Sequence, residues 1–196
     1  IANDFWLATS GDDLTPRPPL REDIQVDVAI LGAGFSGLWT AYYLLKNDTS
    51  LDVLIVEREI CGYGASGRNG GWCSPRFPVD PGPLKKRFGT TVARNVNIAQ
   101  QEIVEEIGGT LEAEGIDAEF RSTGLLSLAR SQQQMEGLAS TLNTYESLGL
   151  GRGNRLLDAG EAFDRVRATN IYGGLEASYG ANVHPGKFVR GLARAV

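Results

Sequence analysis

The pattern of apolar and polar positions predicts a strand, a helix and a second strand early in the chain. Residues 26–31 form a short apolar run with β-branched side chains, which is typical of a strand buried on both faces of a parallel sheet. Apolar residues then recur at helical spacing over residues 36–46, and a second apolar run over residues 51–56 ends at Glu57. This order predicts a β-α-β unit with an acidic residue at the tip of its second strand.

Farther along, the same reasoning predicts long helices on either side of a β-hairpin. Apolar residues recur by fours and sevens over residues 89–114, and a second amphipathic helix is predicted over residues 132–148. Between them, residues 119–121 and 125–128 flank the sequence Ser-Thr-Gly, which predicts a hairpin turn. We expect the glycine pair at residues 108–109 to bend the first of these helices.

Signals for helix ends mark the remaining elements. Gly149 is a stop for the second helix, and Asp158 with Glu161 has the spacing of a capping box for a short third helix. His184 precedes a proline suited to the first turn of a helix, and residues 187–196 continue as that helix. We therefore expect a structural role for His184 at this boundary, in preference to catalysis.

The first predicted strand is followed by the glycine-rich sequence Gly32-Ala33-Gly34-Phe35-Ser36-Gly37. Gly32 permits a tight turn, Gly34 leaves room for a pyrophosphate, and Gly37 lets the helix pack closely on the sheet. The amides and dipole of the helix N-terminus would face the phosphates. Glu57, about 20 residues farther on, can accept hydrogen bonds from ribose hydroxyls, and its charge disfavours the 2′-phosphate of NADP. The pattern predicts a dinucleotide site.

A second glycine-rich segment bears on which dinucleotide binds, because the first motif alone does not separate FAD from NAD. After its acidic residue, an NAD domain normally continues with another helix and strand, whereas this chain has five glycines between residues 62 and 71. Such a glycine density suits a backbone that passes close to a flat ligand. Ser66, Arg68 and Asn69 add hydrogen-bond donors to the segment. We interpret it as favouring FAD.

With Ala-Ser-Gly-Arg-Asn-Gly-Gly at residues 65–71 after a dinucleotide unit that ends in Glu57, the chain resembles the FAD-dependent D-amino-acid oxidase superfamily. Within it, the chain is most similar to amine and amino-acid oxidoreductases related to sarcosine oxidase and γ-glutamylputrescine oxidoreductase. Residues 5–7, 17–20 and 182–189 add to this likeness. The resemblance covers most of the 196 residues, although its strong motifs are the two glycine-rich segments.

The resemblance implies a role in FAD binding for each residue of these motifs. The first segment would line the pyrophosphate, Glu57 would hold the adenosine ribose, and Arg58 would lie beside the adenine. The second segment would follow the pyrophosphate and the isoalloxazine, where Arg68 either stabilises the anionic reduced ring or forms an ion pair with a surface acid. The implied cofactor-binding residues are Gly32, Ala33, Gly34, Phe35, Ser36, Gly37, Glu57, Arg58, Ala65, Ser66, Arg68, Asn69, Gly70 and Gly71.

The resemblance also implies the fold class, which is α/β in the cofactor unit and α+β overall. A Rossmann-like βαβ domain would be interleaved with a substrate domain of mixed β-sheet and helices. The predicted limits are a lead-in over residues 1–23, a first FAD-binding segment over 24–88, the start of the substrate domain over 89–155, and an incomplete return over 156–196. Because superfamily members are considerably longer, we expect the chain to be the N-terminal portion of a longer enzyme and inactive alone.

The predicted activity is FAD-dependent oxidation of an amine or amino acid. A hydride would pass from the carbon beside nitrogen to flavin N5, the imine would be hydrolysed, and oxygen or another acceptor would take the electrons. One alternative is an NAD-dependent dehydrogenase built on the same βαβ unit. The other is a truncated, non-catalytic fragment that binds FAD. The sequence assigns no catalytic residue, substrate identity or oligomeric state.

Composition narrows the choice of partners. The net charge of −5 comes without a basic cluster, so nothing indicates nucleic acid or an anionic membrane surface, and no apolar stretch approaches the ~20 residues of a membrane span. Cys61 and Cys73 lack metal-ligand spacing, so we predict no metal site and interpret both as ordinary thiols in preference to covalent flavin attachment points. We expect a cytoplasmic protein whose partners are a small amine or amino acid and an electron acceptor.

Overall fold

The computed structural model describes residues 4–196, which group by packing into two interleaved units. Unit 1 comprises the described residues up to Trp72 together with Gly108–Phe120 and Val183–Val196. Unit 2 comprises Cys73–Ile107 and Arg121–Asn182. Residues 1–3 of the predicted lead-in lie outside the described residues. Because a division by packing assigns no function, the predicted domain limits stay predictions.

Helices and strands are mixed along the described chain, which confirms the predicted fold class. The helices are α1 (Phe5–Ala8), α2 (Phe35–Asn47), α3 (Pro81–Phe88), α4 (Thr90–Ala113), α5 (Gln132–Ser147), α6 (Ala159–Arg165) and α7 (Pro185–Ala195). The strands are β1 (Val28–Leu31), β2 (Val53–Val56), β3 (Trp72–Cys73), β4 (Arg121–Ser122), β5 (Leu125–Ala129), β6 (Asn154–Leu157), β7 (Gly173–Ala177) and β8 (Ala181–Asn182). A 3-10 turn spans Ala65–Gly67.

Unit 1 contains the predicted β-α-β unit. Strands β1 and β2 pair in parallel with Val28 opposite Val53, and α2 connects them. The expectation that the first strand is buried on both faces is wrong for the described chain, because its residues alternate and Leu31 is 86% exposed. Helix α2 lies against the face that carries Ile30, and the opposite face of this two-stranded sheet is open.

Short elements that the sequence did not reveal complete the core of unit 1. Helix α1 begins after Asp4, whose carboxylate accepts a hydrogen bond of 2.9 Å from the amide of Leu7. Leu7 is buried, as are Val189 and Leu192 of α7. Aspartate is a favourable N-cap residue, so a single polar residue is enough to start this one-turn helix. The helix brings the lead-in into the packed interior.

Unit 2 is built on an antiparallel three-stranded sheet with the order β5-β7-β6. Leu175 at its centre lies opposite Ser127 on one side and Leu156 on the other. Helix α5 packs on all three strands. A compact apolar cluster of unit 2 consists of Leu84, Ala93, Leu148 and Leu150, with Val96, Ile98 and Tyr145 packed around it.

The predicted hairpin between residues 119–121 and 125–128 is wrong. Strand β4 pairs with β8, whereas β5 pairs with β7, so the two predicted partners belong to different sheets. The reason lies at Gly124, which has a φ of +73° and donates its amide hydrogen bond to the carbonyl of Gly180 at 3.0 Å. The chain bends at this glycine and continues as β5 beside β7. In a hairpin, the chain would instead reverse and pair with β4.

The helix predictions are confirmed with small shifts at the ends. Helix α4 runs through the glycine pair without interruption, and Gly108 lets the ring of Phe120 approach closely, since an added Cβ would lie 2.9 Å from that ring. Gly149 follows α5 with a φ of +70°, and Asp158 with Glu161 forms the complete capping box of α6. Among the described residues, no helix is both long and apolar enough to cross a membrane.

Candidate dinucleotide-binding site

The first glycine-rich segment makes the connection between β1 and α2. Gly32 has a φ of +101° and donates its amide hydrogen bond to the carbonyl of Val56 at 2.7 Å, which closes the turn at the strand ends. A side chain at Gly37 would collide with the carbonyl oxygen of Gly32. Because both positions require glycine, the helix starts directly at the strand end and points its N-terminus at this turn.

The N-terminus of α2 presents amides that are available to an anion. Gly34 is the N-cap in an extended conformation, and no side chain caps it. The amides of Gly34, Ser36 and Gly37 have no hydrogen-bond acceptor among the described residues, whereas the amide of Phe35 donates to Ser66. Free amides at the positive end of a 13-residue helix suit the two phosphates of a pyrophosphate.

Glu57 lies beside this turn, as predicted for the tip of the second strand. One carboxylate oxygen accepts a hydrogen bond of 2.9 Å from the amide of Ala33, and the other accepts a hydrogen bond of 3.0 Å from the amide of Glu59. Burial alone raises the pKa of Glu57, but the amides of Glu59, Ala33 and Arg58 together hold the pKa below its ordinary value of 4.5. The group is therefore an anion with acceptor capacity left for hydroxyl groups.

The second glycine-rich segment is hydrogen-bonded to the first. The Ser66 hydroxyl accepts a 2.9 Å hydrogen bond from the amide of Phe35, and the amide of Gly62 donates 3.0 Å to the carbonyl of Ala33. Asn69 stiffens the segment, because its side chain donates to the Ser66 carbonyl and accepts from the Gly71 amide, each at 2.9 Å. Two segments about 30 residues apart thus form one surface.

The two arginines of the predicted site are exposed. Arg58 lies beside Glu59 at 3.4 Å with 85% of its side chain exposed. Arg68 lies over the ring of Tyr63, 5.1 Å from its centroid, and donates to the carbonyl of Gly64 at 3.3 Å. Among the described residues no acid forms an ion pair with Arg68, and both roles considered for this residue stay predictions. All fourteen predicted cofactor-binding residues lie in unit 1.

The family model described as "FAD dependent oxidoreductase" matches residues 27–196 of the chain. The chain belongs to this family. The match begins one residue before β1, and it includes both glycine-rich segments and Glu57. The residues of unit 1 fit the cofactor of the family, because they combine free helix amides, a carboxylate at the strand tip and an open backbone at Gly64 and Gly70.

Individual relatives of the chain agree with the family assignment. Gamma-glutamylputrescine oxidoreductase of Escherichia coli is 30% identical over 191 residues, which are 97% of this chain and 44% of that protein. The glycine oxidase structure from Geobacillus kaustophilus superimposes with a TM-score of 0.64 at 26% identity, covering 87% of this chain and 44% of that one. The structure of L-amino acid deaminase from Proteus vulgaris superimposes with a TM-score of 0.71 at 18% identity, covering 93% of this chain and 40% of that one. The chain thus spans less than half the length of these relatives.

The two cysteines of this family member are free thiols that are partly buried. Burial raises the pKa of Cys61 to about 11, although the charge of Arg190 acts in the opposite direction. The Cys61 thiol donates to the carbonyl of Ala33 at 3.3 Å, so it packs behind the first glycine segment. Burial also raises the pKa of Cys73. Both groups are neutral thiols near pH 7.

His184 caps a helix, which confirms its predicted structural position. Its Nδ1 accepts a hydrogen bond of 3.2 Å from the amide of Lys187, and its Nε2 lies 3.0 Å from the hydroxyl of Thr9. The ring is 5% exposed and packs edge-on against Trp6. Because Nδ1 is an acceptor, the neutral ring carries its proton on Nε2 and donates it to Thr9.

Helix α7 supports the site through contacts that were not predicted from the sequence. Phe188 packs on Phe35 with ring centroids 4.5 Å apart, and Arg190 and Arg194 both pair with Asp12 of the lead-in at 2.8 Å. A signal was available, because two arginines four residues apart share one face of a helix. Their acidic partner lies at the opposite end of the chain, where periodicity gives no information.

Unit 2 contains a separate cavity of about 160 Å³ that the sequence did not indicate. Arg76 donates to the hydroxyl of Ser127 at 2.6 Å at its wall, and Asn97, which is 4% exposed, donates to the carbonyl of Ala93. Burial raises the pKa of the Tyr145 phenol, which also lines the cavity. The cavity therefore offers a mixture of polar groups and apolar wall to a small molecule.

Proposed function

We propose that unit 1 binds FAD and serves an oxidoreductase that acts on the carbon–nitrogen bond of an amine or amino acid. One observation carries the proposal. Both glycine-rich segments and Glu57 are hydrogen-bonded to one another around the N-terminus of α2, where three amides have no partner among the described residues. The family model supports FAD in preference to NAD as the dinucleotide.

Each part of the surface has a role in this proposal. The amides of Gly34, Ser36 and Gly37 would bind the pyrophosphate, with Gly32, Ala33 and Phe35 shaping the turn, and Glu57 would accept hydrogen bonds from the adenosine ribose. Arg58 would lie at the adenine end. The segment that follows the pyrophosphate toward the isoalloxazine would comprise Ala65, Ser66, Arg68, Asn69, Gly70 and Gly71.

The proposed chemistry follows from the cofactor and from a fixed positive charge. Bound FAD would supply the acceptor for a hydride from the carbon beside nitrogen, with oxygen or another acceptor taking the electrons afterwards. Arg68 is held over Tyr63, and no acid of the described chain pairs with it, so its charge would be available to an isoalloxazine bound along the second segment. The names of the relatives support an amine or amino acid as the substrate class.

A paired titration tests the proposal. The protein is stripped of bound nucleotide and titrated with FAD and, separately, with NAD⁺, while the quenching of flavin fluorescence and the heat of binding are followed. We expect saturable binding of FAD and none of NAD⁺. The loaded protein is then mixed without oxygen with a panel of amines and amino acids, and bleaching of the visible flavin band identifies a substrate.

The outcomes separate the alternatives. Binding of NAD⁺ without FAD would favour the nicotinamide-dependent dehydrogenase and contradict the proposed cofactor. FAD binding without bleaching by any substrate would leave the cofactor site supported, and it would agree with the expectation that this chain is inactive alone.

A further inference from the structure

Arg190 of α7 connects three separate backbone segments of unit 1. Its Nε donates to the carboxylate of Asp12 at 2.8 Å, and one Nη donates to the carbonyl of Asp13 at 2.5 Å. The other Nη donates to the carbonyl of Cys61 at 3.4 Å. The side chain is 15% exposed, so its charge is largely removed from water and depends on these partners.

Cys61 is where α7 contacts the proposed FAD site. The amide of Gly62 and the thiol of Cys61 both donate to the carbonyl of Ala33, at 3.0 and 3.3 Å. The buried side chain of Val189 fills the space that a Cβ at Gly62 would occupy. The turn at residues 61–62 is therefore held between the first glycine-rich segment on one side and α7 on the other.

We propose that Arg190 is a positioning residue of the FAD site. By holding the Cys61 carbonyl, it keeps the turn at residues 61–62 against Ala33 and so sets the spacing between the two glycine-rich segments. Asp12 and Asp13 orient the guanidinium, which gives the lead-in a part in cofactor binding. The inference rests on the proposed function, because FAD affinity is the property that this positioning serves.

Arg194 provides a matched control on the same helix. It pairs with the same carboxylate oxygen of Asp12 at the same distance of 2.8 Å, but 60% of its side chain is exposed. Among the described residues it does not bond to the turn at residues 61–62. Alanine variants of Arg190 and Arg194 therefore remove equally long ion pairs to Asp12, and only one of them removes the link to Cys61.

The test compares FAD affinity and stability in Arg190→Ala, Arg194→Ala and Arg190→Lys. The dissociation constant is measured by FAD titration, the unfolding midpoint on the cofactor-free protein, and the visible circular dichroism of the flavin at saturating FAD. We expect Arg190→Ala to weaken FAD about tenfold and to change the dichroism, because the loss of one oriented hydrogen bond has an effect of that size. The dissociation constant of Arg194→Ala for FAD should stay within about twofold of the wild-type value, and its flavin dichroism should be unchanged.

The lysine variant keeps the test valid if Arg190→Ala fails to fold. A single ammonium can pair with Asp12 but cannot also span the two carbonyls, so Arg190→Lys should fold and still bind FAD more weakly than Arg194→Ala does. Wild-type affinity and dichroism in the folded Arg190 variants would overturn the inference. So would parallel losses of affinity and stability in both alanine variants. A wild-type protein that binds no FAD would instead overturn the proposed function itself.

Discussion

A methyl group at Gly34 is the sharpest perturbation of the proposed pyrophosphate position. An added Cβ would lie 2.9 Å from the hydroxyl oxygen of Ser66, which is closer than side chains tolerate. That oxygen accepts the hydrogen bond of the Phe35 amide, so Gly34→Ala displaces it and costs about 0.5–1.5 kcal/mol. If the methyl group also occupies the place of a phosphate, one or more charge-assisted hydrogen bonds of about 1.5–3 kcal/mol each are lost as well.

These magnitudes predict different FAD affinities for displacement of the Ser66 hydroxyl alone and for displacement together with loss of a phosphate contact. Displacement of Ser66 alone lowers the affinity for FAD roughly 2- to 13-fold, whereas loss of one phosphate contact lowers it by roughly another 13- to 160-fold. The double variant Gly34→Ala/Ser66→Ala separates them, because it removes the hydroxyl and leaves the Ser66 Cβ at 3.8 Å from the new methyl group. We expect the double variant to bind FAD at least about tenfold more weakly than Ser66→Ala, and Gly34→Val to bind none.

The assay is a titration with FAD followed by flavin fluorescence, with the unfolding midpoint of each cofactor-free variant as a check on folding. Gly137→Ala is the matched control, because that glycine is on an exposed position of α5 and an added Cβ has no neighbour within 4 Å. It should bind FAD as the wild type does, with a gain in stability of up to about 1 kcal/mol. Wild-type affinity in Gly34→Ala, or equal affinities of the double variant and Ser66→Ala, would refute the placement of the pyrophosphate.

Four further predictions concern three single side chains. Glu57→Ala should weaken FAD by about 1–3 kcal/mol in a calorimetric titration, since a charged acceptor for the ribose is lost, and unchanged affinity would remove Glu57 from the site. The pKa of Glu57 is lowered on folding, so its contribution to stability is present above 4.5 and lost as the pH falls through the lower folded value. The unfolding temperature should therefore fall less on acidification in Glu57→Gln than in the wild type. Identical profiles of unfolding temperature against pH would contradict the assigned hydrogen bonds. Cys61, with its pKa raised from 9.0 to about 11, should react with a disulfide reagent at pH 8 about tenfold more slowly than in the unfolded chain, because the roughly 100-fold smaller thiolate fraction is partly offset by greater nucleophilicity. Equal rates in the native and urea-unfolded protein would show that the thiol is not buried. His184→Ala should lower the free energy of unfolding by about 0.5–2 kcal/mol in a urea titration, through loss of the helix cap, and His184→Asn should restore most of it. An unchanged midpoint in His184→Ala would exclude the capping role.

The features that were predictable from sequence are those fixed by local chemistry. The β-α-β unit with Glu57 at its tip follows from two apolar runs and a glycine spacing, and the capping box of α6 follows from Asp158 and Glu161 alone. Helix α4 was predictable because its apolar residues keep one period over 24 residues. Each of these depends on neighbours within a few turns of the chain.

The features that were not predictable depend on residues far apart in the sequence. The hairpin prediction failed because the chain bends at Gly124 and enters β5, whose partner β7 lies at Gly173–Ala177. A run of apolar residues does not reveal such a distant partner. In the site, the hydrogen bond from the Phe35 amide to Ser66 joins positions 31 residues apart. The contact between Arg190 and Asp12 joins the two ends of the chain across 178 residues.

Whether this chain binds FAD is decided by the visible absorption spectrum of the protein after FAD loading and removal of free cofactor. We expect flavin bands at ~370 and ~450 nm, which are a property of the cofactor itself, at about one FAD per chain. Acid precipitation should release the colour, because we interpret Cys61 and Cys73 as ordinary thiols and not as flavin attachment points. A protein that remains colourless after incubation with excess FAD would contradict the proposed FAD site.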